Sequence, residues 1–210
     1  LQVLDEIPLE DQVTSDLILS GHTIGCFQIE SPGVRATLRE INAHSPDDIM
    51  AALALYKPGP IKGGLREAFV KRFKGQEPVE HLHPLVAPIL EETYGIILYQ
   101  EQVLRLAHEL AGLSLADADL LRRTISHFGS NIVLEDIHQR FVRAVHENRQ
   151  IPVEICEQLW SLMAAFAGYG LPKAHAASYG LAAWKSAWLK AHFPAEFMAA
   201  VLANWGGYYS

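Results

Sequence analysis

The sequence predicts a mainly α protein with a few short strands. Apolar residues recur at helical spacing through most of the chain, as at Val103, Leu106, Ala107 and Leu110. Helix-start signatures precede several of these stripes, among them Ser45-Pro46-Asp47-Asp48 and Ser114 with Asp117. Strand-like composition is confined to two short apolar runs, residues 24–29 and 94–99. With 210 residues, 50% of them hydrophobic and 20% charged, the chain has the composition of one or two globular domains with a sizeable core. It contains no run of about eighteen uncharged apolar residues and no basic-then-apolar leader, so a cytoplasmic location and no membrane partner are expected. The net charge of −7 argues against a surface given over wholly to nucleic acid. Any phosphate contact has to come from a local excess of Lys and Arg.

Taken in order, residues 1–18 mix acids with apolar side chains. Ile7-Pro8-Leu9-Glu10-Asp11 reads as a loop before a short helix over 13–20, which Gly21-His22-Thr23 breaks. Ile24-Gly25-Cys26-Phe27-Gln28-Ile29 has the composition of a short strand closed by the turn Ser31-Pro32-Gly33. The next helix, over 34–41, carries Val34, Leu38 and Ile41 on one face and Arg35 and Arg39 on another. Ser45 caps a helix over 46–56, with Pro46 at its first position and two acids in its first turn. Residues 75–88 read as a linker. The run Tyr94-Gly95-Ile96-Ile97-Leu98-Tyr99 suits a buried strand or a helix start, and a helix follows over 100–110. Ser114 caps another, with Asp117 at N3, Leu120 and Leu121 inward and Arg122-Arg123 at its polar end. Amphipathic helices are expected over 132–147 and 152–166, a long one over 173–190 and a last over 194–204. The uncharged tail Trp205-Gly206-Gly207-Tyr208-Tyr209 is a poor natural terminus, which points to a piece of a longer protein.

Three stretches are candidates for binding. Gly168-Tyr169-Gly170-Leu171-Pro172-Lys173 is a glycine-broken loop running into a helix start, where free N–H groups, the macrodipole and Lys173 would seat a phosphate. His175 and Tyr179 lie four apart and so share a helical face just beyond that seat, offering flat surfaces to a nucleotide. An alanine-rich core helix would read the same way. Arg122 and Arg123 could grip a triphosphate through their planar forks, or simply stand near a helix C-terminus where cations are favoured. The loop Lys57-Pro58-Gly59-Pro60-Ile61-Lys62-Gly63-Gly64 and the following Arg66, Lys71, Arg72 and Lys74 form the densest basic cluster. That cluster suits a DNA phosphate backbone and equally a solvated helix face.

Other chemistries find no support. The chain has no nucleophile elbow, zinc-protease helix, phosphate-binding P-loop or dinucleotide-binding glycine fingerprint. Cys26 and Cys156 are far apart and read as reduced buried thiols. His81-Leu82-His83 lacks a third metal ligand, and Asp117 with Asp119 fits a first helical turn better than a metal pair. No metal site and no catalytic residue is therefore expected within the chain.

Six separated blocks nevertheless match one family in order. They are Gly25-Cys26-Phe27-Gln28-Ile29-Glu30-Ser31, Ala54-Leu55-Tyr56-Lys57-Pro58-Gly59-Pro60, Thr93 through Val103, Ala118-Asp119-Leu120-Leu121-Arg122-Arg123, Phe166-Ala167-Gly168-Tyr169-Gly170 and Trp188 through Met198. Together they closely resemble the bacterial DNA polymerase III alpha subunits, the C-family DNA polymerases. The resemblance implies a DNA-directed DNA polymerase and, within it, the helical fingers region that closes over the incoming deoxynucleoside triphosphate. On this basis residues 1–45 are the palm-proximal part, 46–205 the helical fingers and 206–210 the start of a following segment. Arg122, Arg123, Lys173, His175 and Tyr179 fall on nucleotide-binding positions of the family, while Lys57, Lys62, Arg66, Lys71, Arg72 and Lys74 would meet DNA. The family's two magnesium ions are held by palm aspartates that this stretch does not contain, so the implied Mg2+ ligands lie outside it. Implied partners are template-primer DNA, deoxynucleoside triphosphates and, through regions outside the chain, a sliding clamp and accessory proteins.

Departures from the family pattern concern the branch. Lys57 replaces an arginine, Pro172 and Ala174 replace Asn and Ser, and Ser126-His127-Phe128 replaces a glycine-lysine-lysine run. These resemble the error-prone, damage-tolerant branch, for which translesion synthesis and DNA repair are the implied roles. The alternatives are a fragment of the replicative subunit and a non-catalytic helical module that binds nucleic acid or protein.

Overall fold

Helix starts organise the N-terminal part of the chain. In the computed structural model, which describes residues 2–56, 64–126, 131–166 and 170–204, the Asp11, Ser31 and Ser45 side chains each accept the backbone N–H three residues on. These caps begin α2 (Gln12–Ser20), α3 (Pro32–Glu40) and α4 (Pro46–Leu55), after a short α1 (Gln2–Asp5). Ser31-Pro32-Gly33, read from the sequence as a turn, is thus a cap followed by proline in the first helical turn. Burial pushes the Asp11 carboxyl up, but bonds from the Thr14 hydroxyl, His192 and the Thr14 N–H outweigh it and hold the carboxyl below its usual value.

The remaining helices are α5 (Leu65–Phe73), α6 (Ala87–Leu90), α7 (Gln100–Arg105), α8 (Leu115–Ser126), α9 (Asn131–Arg149), α10 (Val153–Phe166), α11 (Lys173–His192) and α12 (Pro194–Ala203). Short 3-10 turns at Pro84–Val86 and Glu91–Thr93 flank α6, and α7 continues as a π-helical turn over Leu106–Leu110. The mainly α expectation therefore stands.

The expected strands reduce, among the described residues, to a single parallel bridge between Tyr99 and Leu171. Residues 24–29 are a succession of turns, with Gly25 and Gln28 at positive φ. Their polar groups are satisfied locally: Thr23 Oγ1 donates to the Ile29 carbonyl at 2.5 Å and Gly25 N–H donates to Glu30 at 2.9 Å. The Phe27 N–H donates to Ser186 Oγ of α11, and Lys190 Nζ donates to the Ile24 carbonyl. With its backbone committed to turns and side chains, the segment has no ladder to offer.

The chain forms two compact units, Leu1–Tyr56 with Ala174–Ser210 and Lys57–Lys173. In this division the C-terminal helices fold with the N-terminal ones. In the first unit α2 packs on α3 and α3 on α4. Helix α11 buries a face of small residues, Ala176, Gly180, Ala183 and Ala187, beside the fully buried Trp184. Trp184 Nε1 donates to the Pro8 carbonyl at 2.8 Å. Cys26 is fully buried, and burial pushes its thiol up to about 12, so it remains protonated at neutral pH.

In the second unit the core gathers α6 through α10, with Leu106, Val145, Cys156 and Met163 at its centre. Helix α9 packs on α10, and α7 on α8. Leu121 is buried as expected (2% exposed), but Leu120 points outward at 59% exposed. The stripe runs through Ala118, Leu121 and Ile125, which leaves Leu120 off it.

Candidate functional site

The element that positions the site is the segment Tyr94 to Leu98, which is neither strand nor helix and runs from the 3-10 turn ending at Thr93 to the bridge at Tyr99. Gln102, 2% exposed, holds it: its Oε1 accepts the Leu98 and Tyr99 N–H groups at 2.8 and 3.0 Å. Its Nε2 donates to Thr93 Oγ1 at 2.7 Å, and Thr93 Oγ1 in turn donates to the Ile96 carbonyl at 2.5 Å. A buried amide that uses both of its ends satisfies the backbone groups an extended segment would leave unpaired. The segment delivers Gln100 and Glu101 to the first turn of α7.

Arg122 and Arg123 stand toward the C-terminal end of α8, with Arg123 in its last turn. Both pair with one carboxylate. Arg122 Nη2 lies 2.9 Å from Asp119 Oδ1, and Arg123 Nε lies 2.7 Å from Asp119 Oδ2. The Arg122 bond, with the charges of both arginines, holds the Asp119 carboxyl below its ordinary value. Arg122 is 19% exposed and Arg123 66%, so the first is a fixed fork and the second a solvated one. Asp119, read from the sequence as an ordinary helix-start acid, is the partner of both arginines. Its spacing to them, three and four residues, was the available signal.

At the start of α11, Lys173 carries two internal anions. Its backbone N–H donates to Glu101 at 2.8 Å, and its Nζ pairs with Glu92 at 2.5 Å while lying 5.9 Å from the centre of the Tyr99 ring. The N–H and the ammonium that Lys173 brings to this helix start are thus both taken up by carboxylates of the same unit. Nothing in the local pattern announced Glu92 or Glu101, which lie far from Lys173 in sequence. Gly170, immediately before, is held by Gln100, whose Nε2 donates to its carbonyl at 2.7 Å.

His175 and Tyr179 share a face of α11 as predicted, with ring centres 3.9 Å apart, and Phe27 meets Tyr179 edge-on at 5.0 Å. His175 is exposed and Tyr179 half-buried. The flat face and the small-residue core face thus coexist on one helix.

The basic cluster resolves into different roles. Arg72 is structural: its Nη1 donates to the Tyr94 carbonyl at 3.0 Å, and its Nε lies 3.5 Å from Glu77. Arg66 Nη1 lies 3.9 Å from Glu67. Lys71 and Lys74 are exposed. Lys57 and Lys62 lie outside the described residues, as do Gly168-Tyr169, His127-Phe128 and the aromatic tail. Among the described residues no cluster of three or more His, Cys, Asp or Glu could hold a metal ion, and no helix is long and apolar enough to cross a membrane.

These features define a helical protein in which Arg122 is linked through Gln100 to the Gly170 backbone. Residues 2–149 match the bacterial DNA polymerase III alpha subunit finger domain. The chain is 43% identical over 206 residues to DNA polymerase III subunit alpha of Thermus aquaticus, covering 95% of this chain and 16% of that protein. It is 41% identical over 199 residues to the subunit of that name from Aquifex aeolicus (95% of this chain, 17% of that one). It is also 40% identical over 202 residues to that of Escherichia coli (93% and 17%). The chain belongs to the bacterial DNA polymerase III alpha-subunit finger family, and it spans about a sixth of the length of these relatives.

Proposed function

We propose that this chain is the fingers part of a DNA-directed DNA polymerase that works in the cytoplasm, where it binds the incoming deoxynucleoside triphosphate and template-primer DNA. The observation that carries the reading is the pair Arg122 and Arg123 held side by side by the single carboxylate of Asp119. A triphosphate, with more charge and more acceptor oxygens than one carboxylate, can compete for both forks. Lys173 adds a cation at a helix start, and His175 with Tyr179 adds flat surfaces for a base or sugar. Lys71 and Lys74 are exposed, which supports their contact with a phosphate backbone.

The described residues do not fit a metal centre. The Mg2+ of such an enzyme would be held by residues outside this chain. A sliding clamp and accessory proteins would likewise be engaged elsewhere. Arg123→Ala in the full-length protein should cut primer extension strongly, and survival of full activity would overturn the phosphate assignment.

Within the family we read the chain as the error-prone branch, active in translesion synthesis and DNA repair. Pro172 and Ala174 beside Lys173, and Ser126-His127-Phe128 after the arginines, support that reading because fewer basic and polar groups grip the phosphates. Misincorporation and lesion bypass by the full-length protein on damaged and undamaged templates test it. High fidelity with no bypass would identify a replicative subunit instead.

A further inference from the structure

We infer that Gln100 is a positioning residue of the nucleotide site, fixing the Arg122 guanidinium and the Gly170-Leu171 backbone to one another. The inference rests on the polymerase reading above. Gln100 opens α7 and uses both ends of its amide as well as its backbone N–H. Its Oε1 accepts from Arg122 Nη1 at 3.1 Å, its Nε2 donates to the Gly170 carbonyl at 2.7 Å, and its backbone N–H donates to the Leu171 carbonyl at 3.2 Å. The Tyr99–Leu171 bridge extends the same attachment by one residue.

The chemistry selects an amide of this length. A carboxylate could accept from Arg122 but could not donate to Gly170, a lysine would repel Arg122, and a hydrocarbon would do neither. Gln100 is neutral, so it orients the arginine without cancelling its charge. Asp119, which takes Nε and Nη2 of the same fork, both orients and neutralises. Together the two hold three guanidinium nitrogens, leaving the plane of the fork little freedom.

The loop side is equally constrained. A Cβ on Gly170 would lie 2.8 Å from Gln100 Cγ and 2.6 Å from the Phe166 ring, so this close approach requires glycine. Gln100 is itself anchored, because the N–H groups of Leu98 and Tyr99 just before it are held by the buried Gln102. One half-buried side chain therefore ties α7, α8 and the loop that leads into α11.

The test is a double-mutant cycle in the full-length protein, reading KM and kcat for single-nucleotide incorporation on a primer-template, with thermal unfolding as the control. Gln100→Ala should raise KM for the nucleotide about tenfold while kcat changes little, the size expected for one hydrogen bond to a charged group. In the Arg122→Ala background the same change should add nothing, and Gln100→Glu, which keeps only the Arg122 contact, should fall between wild type and Gln100→Ala. Additive effects, or an unchanged KM for Gln100→Ala beside a raised one for Arg122→Ala, would overturn the positioning role and leave the polymerase reading intact. An unchanged KM for Arg122→Ala would overturn the assignment of Arg122 to the nucleotide and this inference together. If Gln100→Ala does not fold, Gln100→Glu decides alone: a KM equal to wild type refutes the coupling to Gly170.

Discussion

The Glu101 carboxylate accepts the backbone N–H of Lys173 at 2.8 Å, occupying the helix start at which a phosphate would bind. An internal anion in that place must leave before an external one can enter. Charge-assisted bonds are roughly twice as strong as neutral ones, so Glu101→Gln should weaken the internal competitor and lower KM for the nucleotide several-fold. Steady-state incorporation kinetics of the full-length protein check this. A raised KM would mean that Glu101 serves the site instead of blocking it.

Asp119 supplies a pH prediction. Its folded-state carboxyl is held below the ordinary value of 3.8, chiefly by the Arg122 hydrogen bond. A depressed value contributes stability that is present above the unfolded value and lost as pH falls through the folded one. The stability difference between wild type and Asp119→Asn should thus be constant from neutral pH down to about pH 5 and shrink in stronger acid. Carboxyl-carbon NMR titration reads the group directly, and a midpoint at or above 3.8 would contradict the pairing.

The buried Gln102 makes a stability prediction in the same unit. Gln102→Leu would orphan the Leu98 and Tyr99 N–H groups, at about 1–3 kcal/mol for each group left unsatisfied. Urea unfolding should show a loss in that range or above. Stability equal to wild type would show that the segment does not depend on this hub.

Helix α11 approaches α4 closely at Gly180, where a Cβ would lie 2.8 Å from the Pro46 carbonyl and 3.2 Å from Met50. Gly180→Ala should therefore destabilise by about 1–3 kcal/mol despite alanine's better helix propensity. A thermal melt at or above the wild-type midpoint would contradict the close packing.

Helices were legible wherever a cap and an apolar stripe agreed: Ser45 with Pro46, and Ser114 with Asp117, marked starts that the structure keeps. Residues 24–29 misled because an apolar run with β-branched residues carries no sign that Ser186 and Lys190, far along the chain, satisfy its backbone. Arg122, Arg123 and Lys173 were legible as cations, yet their partners divide by distance. Asp119 sits within one helical turn and could have been found. Glu92, Glu101 and Gln100 reach their targets only through the fold, and a residue-spacing rule has nothing to say about contacts across such separations.

The most direct test of the account is the nucleotide dependence of single-nucleotide incorporation by the full-length protein with Arg122 and Arg123 both changed to alanine. Each lost bond from an arginine to a phosphate is worth about 1.5–3 kcal/mol, so KM should rise at least tenfold with template-primer binding preserved. An unchanged KM would contradict the assignment of these two arginines to the incoming nucleotide.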